Sequence, residues 1–236
     1  MPATPGQSTL WINYKGTDIF RVPGAYHYVT DRVTLDADGA PNAYHPNDTG
    51  IDKLAHAGYP NKGWKSVLVT DPASPNKPYI QKPGEPYPGY FVSMTTLKNP
   101  NGNKTSPSTY VDSVAFPYVV FPGEFYSIKG TGFMGDFAMV RNLDNGKMTA
   151  AIVADVGPSD APLGEMSLGL ATALGGVNPN PRNGSGSPRG NFQYVIFPKS
   201  HEAPAWPLSF EHIDRVANAK LEGIGGWPTA GNSLVG

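Results

Sequence analysis

Cysteine is absent from the chain. That excludes a disulfide framework, thiol chemistry and any zinc site built on thiolates. No apolar run approaches the ~18–20 residues of a membrane span, so no membrane partner is expected. Charged residues make up only 16%, against about 25% in ordinary domains. The net charge is −1 with no Lys/Arg cluster, which argues against a nucleic-acid partner. Met1 to Ser8 has neither the basic region nor the apolar core of a signal peptide. A serine nucleophile elbow, a phosphate-binding glycine loop and a His/Cys zinc cluster are also missing, so neither metal nor cofactor is expected.

Glycine (28) and proline (25) are abundant, and aromatics reach 11%. Together they describe an ordered, loop-rich chain rather than a disordered one. The 236 residues are expected to form a loose tail over 1–9 and one domain over 10–236. Strands are expected at Ile19–Val22, Tyr26–Leu35, Ser66–Thr70, Tyr90–Thr96, Phe116–Phe121, Asp136–Arg141, Lys147–Ala154 and Phe192–Phe197. Pro117 and Pro122 mark the fifth of these for a sheet edge or a bend. Asn145-Gly146 is a hairpin signal. Helices are expected over Asp48–Gly58, Met166–Leu174 and Ser209–Leu221, the last capped by Ser209 with Ile213, Val216, Ala217 and Leu221 on one face. The fold class is therefore mainly β (α+β), a compact six-stranded β-barrel with two or three appended helices and long loops.

The segment from Met148 to Gly176 concentrates the chemistry. An apolar run ends in Ala154-Asp155-Val156-Gly157-Pro158, and a short loop leads to Gly164-Glu165 and the run after it. Asp155, at the end of a buried strand, is expected to have its pKa raised, as in a general acid. Glu165, placed at a helix start, is expected to stay ionised, as in a general base. Either could equally be a capping carboxylate. As a pair on rigid elements they match glycosidic hydrolysis, with a separation of roughly 6.5–9.5 Å for inversion and roughly 5–5.5 Å for retention.

Asp36, Asp38 and Gly39 resemble part of a calcium loop but lack its distal ligand, and an Asx-turn explains them better. Tyr44-His45-Pro46 offers one imidazole. Loop aromatics (Trp64, Tyr79, Tyr87, Tyr90, Tyr126, Trp206) either stack on sugars or cover the core. Asp48, Asp52, Asp136 and Asp160 would draw in a cationic substrate.

In order, Asp36-Ala37-Asp38-Gly39-Ala40-Pro41, Ala43-Tyr44-His45-Pro46, Gly50-Ile51-Asp52, Ala57-Gly58-Tyr59-Pro60, Pro117-Tyr118-Val119-Val120, Gly135-Asp136, Val153 to Pro158, Gly164-Glu165 and Tyr194 to Pro198 resemble the chitosanases of glycoside hydrolase family 75. The matches span about residues 30–200. The resemblance implies a secreted, inverting endo-hydrolase of chitosan acting as a monomer, with Asp155 and Glu165 as its two acids. It implies Asp36, Asp38, Tyr44, His45, Tyr118 and Asp136 as substrate-binding residues. Ala154 stands where the family often has Gly, and Met166 where a small residue is common. A strand-ending Asp before a Gly-containing turn is also similar to double-psi β-barrel hydrolases of cellulose or peptidoglycan. Three other readings compete: a hydrolase of peptidoglycan glycan strands delivered to competitor cells, a carbohydrate-binding module without turnover, and a loop-rich interaction domain.

Overall fold

In the computed structural model, residues 8–61 and 63–229 are described. Of the expected tail, residues 1–7 lie outside this set, while Thr9 already begins the first strand. The strands are β1 Thr9–Tyr14, β2 Thr17–Val22, β3 Ala25–Thr30, β4 Thr34–Asp36, β5 Thr70–Asp71, β6 Ser74–Pro78, β7 Tyr118–Pro122, β8 Phe137–Asn142, β9 Met148–Gly157, β10 Glu165–Ser167 and β11 Phe192–Ile196. The helices are α1 Gly123–Tyr126, α2 Leu168–Ala173 and α3 Phe210–Gly223.

Nine strands form one mixed sheet in the order β1-β2-β3-β11-β8-β9-β7-β10-β4, and β5 pairs with β6 separately. The ladder ends on β1 and β4, which do not pair with each other, so the sheet is not closed into the expected six-stranded barrel. Its pairs are antiparallel except for β7 with β9 and β10 with β4.

The apolar runs of β8 and β9 follow from burial on both faces. Ala138, Val140, Ala151 and Val153 point into one core, with Phe125 of α1 and Leu170 and Ala171 of α2. Their neighbours Phe137, Met139, Ala150, Ile152 and Ala154 point into the other, against Ile213, Ala217 and Leu221 of α3. The period of two thus fills two cores from one hairpin. Gly146 closes that hairpin at φ 76°, a conformation glycine adopts without a side-chain clash.

Six segments differ from expectation. The strand read as Tyr26–Leu35 breaks into β3 and β4. β7 is central, between β9 and β10; Pro117 falls just before it and Pro122 at its last position, so little of the ladder is lost. The run from Met166 is extended at first, because Glu165, Met166 and Ser167 pair with Thr34, Leu35 and Asp36. Ser167 Oγ accepts from the Leu170 N–H at 3.0 Å and so caps α2. Asp48–Gly58 forms turns rather than a helix, with Asp48 Oδ1 accepting from the Leu54 N–H at 2.7 Å. Ser66–Thr70 and Tyr90–Thr96 are held by isolated bridges, Leu68 to Ser93 and Ile80 to Phe91, rather than as full strands. A third core of Ala37, Tyr44, Trp64, Leu68, Phe91 and neighbours anchors these loops. α3 matches its expectation, including the Ser209 cap.

Candidate active site

The site forms where the four-strand run β9-β7-β10-β4 meets the loops after β4. A bulge offsets β9 against β7: Val119 faces Val153, but Val120 faces Asp155. Bulges re-aim side chains at sites. Here Asp155, 7% exposed, is turned towards the loop at Thr95–Leu97. The Leu97 N–H donates to Ala154 O at 2.8 Å. Thr96 donates to Asp155 Oδ1 twice, from its N–H at 3.0 Å and its hydroxyl at 2.6 Å, and the Val156 N–H adds a third bond at 2.7 Å. Asp155 Oδ1 is thus occupied by three donors.

Glu165 opens β10. It is not at a helix N-terminus, and the dipole argument for an ionised Glu165 fails for that reason. Burial pushes its carboxyl up to about 7, helped by the nearby Asp155 charge. Burial likewise pushes Asp155 up to about 6, opposed by the Thr96 and Val156 hydrogen bonds. The two acids therefore share one direction rather than the opposite tendencies expected. The Glu165 carboxylate lies against Gly157: a methyl there would sit 2.4 Å from Glu165 Oε2.

Asp36 and Asp38 join them. Asp36 Oδ1 accepts from the Asp38 N–H at 2.8 Å, the Asx-turn read from the sequence. Asp38 Oδ1 accepts from the Tyr44 hydroxyl at 2.8 Å and the Ser93 hydroxyl at 3.1 Å. Gly39 permits this turn, since a Cβ would meet Val111 O at 2.0 Å. One oxygen from each of Asp36, Asp38 and Asp155 lies within 4.8 Å of the others. Burial, then the neighbouring carboxylates, hold both Asp36 and Asp38 well above the usual carboxylate range. Three carboxylates so placed need positive charge among them: a proton, a substrate ammonium or a bound cation. With both Asp36 oxygens and one oxygen each of Asp38 and Asp155 already hydrogen-bonded, few are left for the six to eight ligands of calcium.

Glu165, Asp36, Asp38 and Tyr44 line one cleft of about 650 Å³, a size suited to a small ligand or a stretch of polymer. Asp52 and His56 also line it. His56 Nδ1 lies 2.8 Å from Asp52 Oδ1, and the Asp52 carboxylate is almost wholly buried. Among the described residues, no Lys or Arg lines the cleft.

The other expected site residues do not line the cleft. Tyr118 is fully buried behind it, with its hydroxyl on Asp36 Oδ2. His45 packs edge-on against Tyr90, accepts from the Asn47 N–H, and does not line the cleft. Asp136 is also fully buried. Its carboxylate accepts the N–H groups of Phe133, Lys199, Ser200 and His201, a structural knot away from the cleft. Asp48 pairs with Arg182. Of the loop aromatics, Trp64, Tyr79 and Trp206 are buried in core clusters, and none of the six lines the cleft.

Sequence reasoning missed Thr96, Ser93 and His56. Only Asp52-x-x-x-His56 carried a signal, an acid and an imidazole four apart. Compared with known proteins, the chain matches no family model and no curated sequence.

Proposed function

We propose that the chain is an endo-acting, inverting glycoside hydrolase of chitosan, a cationic β-1,4-linked amino-sugar polymer. The observation that carries this reading is the cleft itself. Glu165, a buried acid with a raised pKa, lines a groove with Asp36, Asp38 and Asp52 and, among the described residues, no Lys or Arg; Asp155, raised likewise, is buried behind the groove wall formed by Val156 and Gly157. Carboxylates at Asp38 and Asp52 in such a groove attract ammonium groups and repel the carboxylates of peptidoglycan. The shortage of aromatic lining disfavours a non-catalytic sugar-binding module, which would need stacking platforms.

In this reading Glu165, which holds its proton to higher pH, donates it to the leaving glycosidic oxygen. Asp155, whose Oδ1 is fixed by three donors, takes a proton from the water that attacks C1 on the opposite face. The β-linkage then yields an α-anomer. Both carboxyls return to their starting states once a proton passes back through solvent. The order of roles reverses the sequence expectation because the environment of Glu165 differs.

A double-psi-like relationship is part of the same proposal. It is supported by the two parallel pairs, β7 with β9 and β10 with β4, inside an otherwise antiparallel sheet. In the same proposal the enzyme meets its polymer outside the cell and acts as a monomer.

Glu165→Gln and Asp155→Asn test the reading on soluble chitosan. Each is expected to lose on the order of 10³-fold or more in rate while retention on immobilised chitosan persists. Near wild-type turnover in both would overturn the assignment, and digestion of purified sacculi with chitosan left intact would redirect it to peptidoglycan.

A further inference from the structure

Tyr118 presents a counting problem. Its hydroxyl lies 2.9 Å from Asp36 Oδ2 and 2.9 Å from the carbonyl oxygen of Asp38. A phenol has one proton to donate, and a carbonyl can only accept. If Asp36 were ionised, one proton would have to serve two acceptors in a fully buried place, since the other hydroxyl beside Tyr118, that of Ser113, donates to the Asp36 carbonyl oxygen. If Asp36 Oδ2 carries a proton, every group is served: Asp36 donates to Tyr118, and Tyr118 donates to Asp38 O.

The rest of the cluster divides its donors in the same sense. Asp38 Oδ1 receives two hydroxyl donors and Asp155 Oδ1 receives three, the environments of ionised carboxylates. Asp36 receives one donor at Oδ1. Among the described residues no Lys, Arg or His forms an ion pair with Asp36, Asp38, Asp155 or Glu165. The titratable groups facing Asp36 are Tyr118 from β7, Asp155 from β9, Glu165 from β10, and Asp38. None supplies a positive charge.

The position of this contact matters. β10, which carries Glu165, lies between β7 and β4 in the sheet. The Asp36–Tyr118 bond joins the strands on either side of it. Ser167 at the other end of β10 is tied into the same knot: its hydroxyl accepts from the Tyr118 N–H at 2.9 Å and donates to Phe116 O at 2.8 Å.

We infer that Asp36 is the un-ionised member of the three-aspartate cluster, a positioning residue whose Oδ2–H donates to Tyr118 and clips β4 to β7 across the strand that bears Glu165. The protonation state stands on hydrogen-bond geometry alone; its value for setting Glu165 against Asp155 rests on the hydrolase reading.

The test uses the whole chain without substrate. Infrared spectra of protein labelled with ¹³C at the aspartate side-chain carboxyl are recorded at about pH 9, above the ionisation of ordinary carboxyls. The wild type is expected to show the C=O stretch of an un-ionised carboxylic acid, lost in Asp36→Asn. Asp36→Asn is expected to keep the wild-type melting temperature within a few degrees, because its amide N–H can stand in for Oδ2–H. Asp36→Ala is expected to lower it clearly. Three results would overturn the inference: no un-ionised band in the wild type, a band that survives Asp36→Asn, or a band abolished by added calcium. A protein that shows the band but leaves chitosan uncut would sink the hydrolase reading and leave this inference standing.

Discussion

Gly157→Ala perturbs the site at one defined atom. Gly157 closes β9 with a backbone that is not left-handed, so alanine is conformationally allowed there. Its Cβ would nevertheless sit 2.4 Å from Glu165 Oε2 and 3.2 Å from Glu165 Cδ and Val120 Cγ1. Carbon needs roughly 3.4 Å from such an atom, so the Glu165 carboxylate must retreat by about 1 Å. The atom displaced is the far end of a flexible side chain, and the cost to stability is small. Overpacking of about 1–3 kcal/mol is partly offset by about 0.4–1 kcal/mol from a stiffer unfolded chain.

The cost to catalysis is larger. A misplacement of about 1 Å loses on the order of 10²-fold in rate, equivalent to about 2.7 kcal/mol of transition-state stabilisation. Steady-state rates on soluble chitosan, read as reducing ends beside a thermal melt, check this. The expected result is a fall in kcat with KM little changed and a melting temperature within a few degrees of wild type. A stable variant with wild-type kcat would refute the placement of Glu165 in the chemistry.

The same two acids predict a stability effect opposite to their catalytic one. Burial raises Asp155 to about 6 and Glu165 to about 7, so the folded state binds their protons more tightly than the unfolded chain. Their favourable contribution is complete below about pH 4 and is lost as pH rises through about 6 and about 7. Asp155→Asn and Glu165→Gln should therefore melt higher than wild type at pH values above about 7, by on the order of 2 kcal/mol each, and converge with it near about pH 4; no advantage at the higher pH would contradict the burial argument. Thr96→Val removes the 2.6 Å bond to Asp155 Oδ1, which favours the ionised form. The acid limb of the pH–rate curve should move up by about half to one pH unit, and an unmoved limb would show that Asp155 is not the base. His27 is buried with Nε2 unpartnered, and burial lowers it to about 4. The fold should lose stability as pH falls from about 6.5 towards that value, and the imidazole should remain neutral by NMR down to about pH 5.

The parts of the fold legible in the sequence are those where local chemistry and packing agree. Asn145-Gly146 and the unbroken apolar runs around it specify the β8–β9 hairpin, and Ser209 with Ile213, Ala217 and Leu221 specifies α3. The segment from Ala37 to Ser113 was illegible because its order comes from distant partners. Trp64, Leu68 and Phe91 pack together, and isolated bridges replace strands there. The run from Met166 reads as helical because it is apolar, whereas Ser167 is the cap that delays the turn. At the site, Asp155 carries its position in the apolar run before it, whereas Glu165 does not: it opens β10 and not the helix that its neighbours suggest. Asp136 does not: a carboxylate consumed by four backbone N–H groups looks, in sequence, like one free to bind. Thr96 comes from a loop 59 residues away from Asp155, and no periodicity announces such a contact.

The central claim, hydrolysis of a cationic amino-sugar polymer by Asp155 and Glu165, is tested most directly by digesting chitosan of defined acetylation and following the new reducing ends by ¹H NMR from the first minutes. The account predicts internal cleavage with the α-anomer appearing first and then mutarotating, and neither product in the Glu165→Gln variant. Chitosan left intact, or new ends that appear first as the β-anomer, would contradict it.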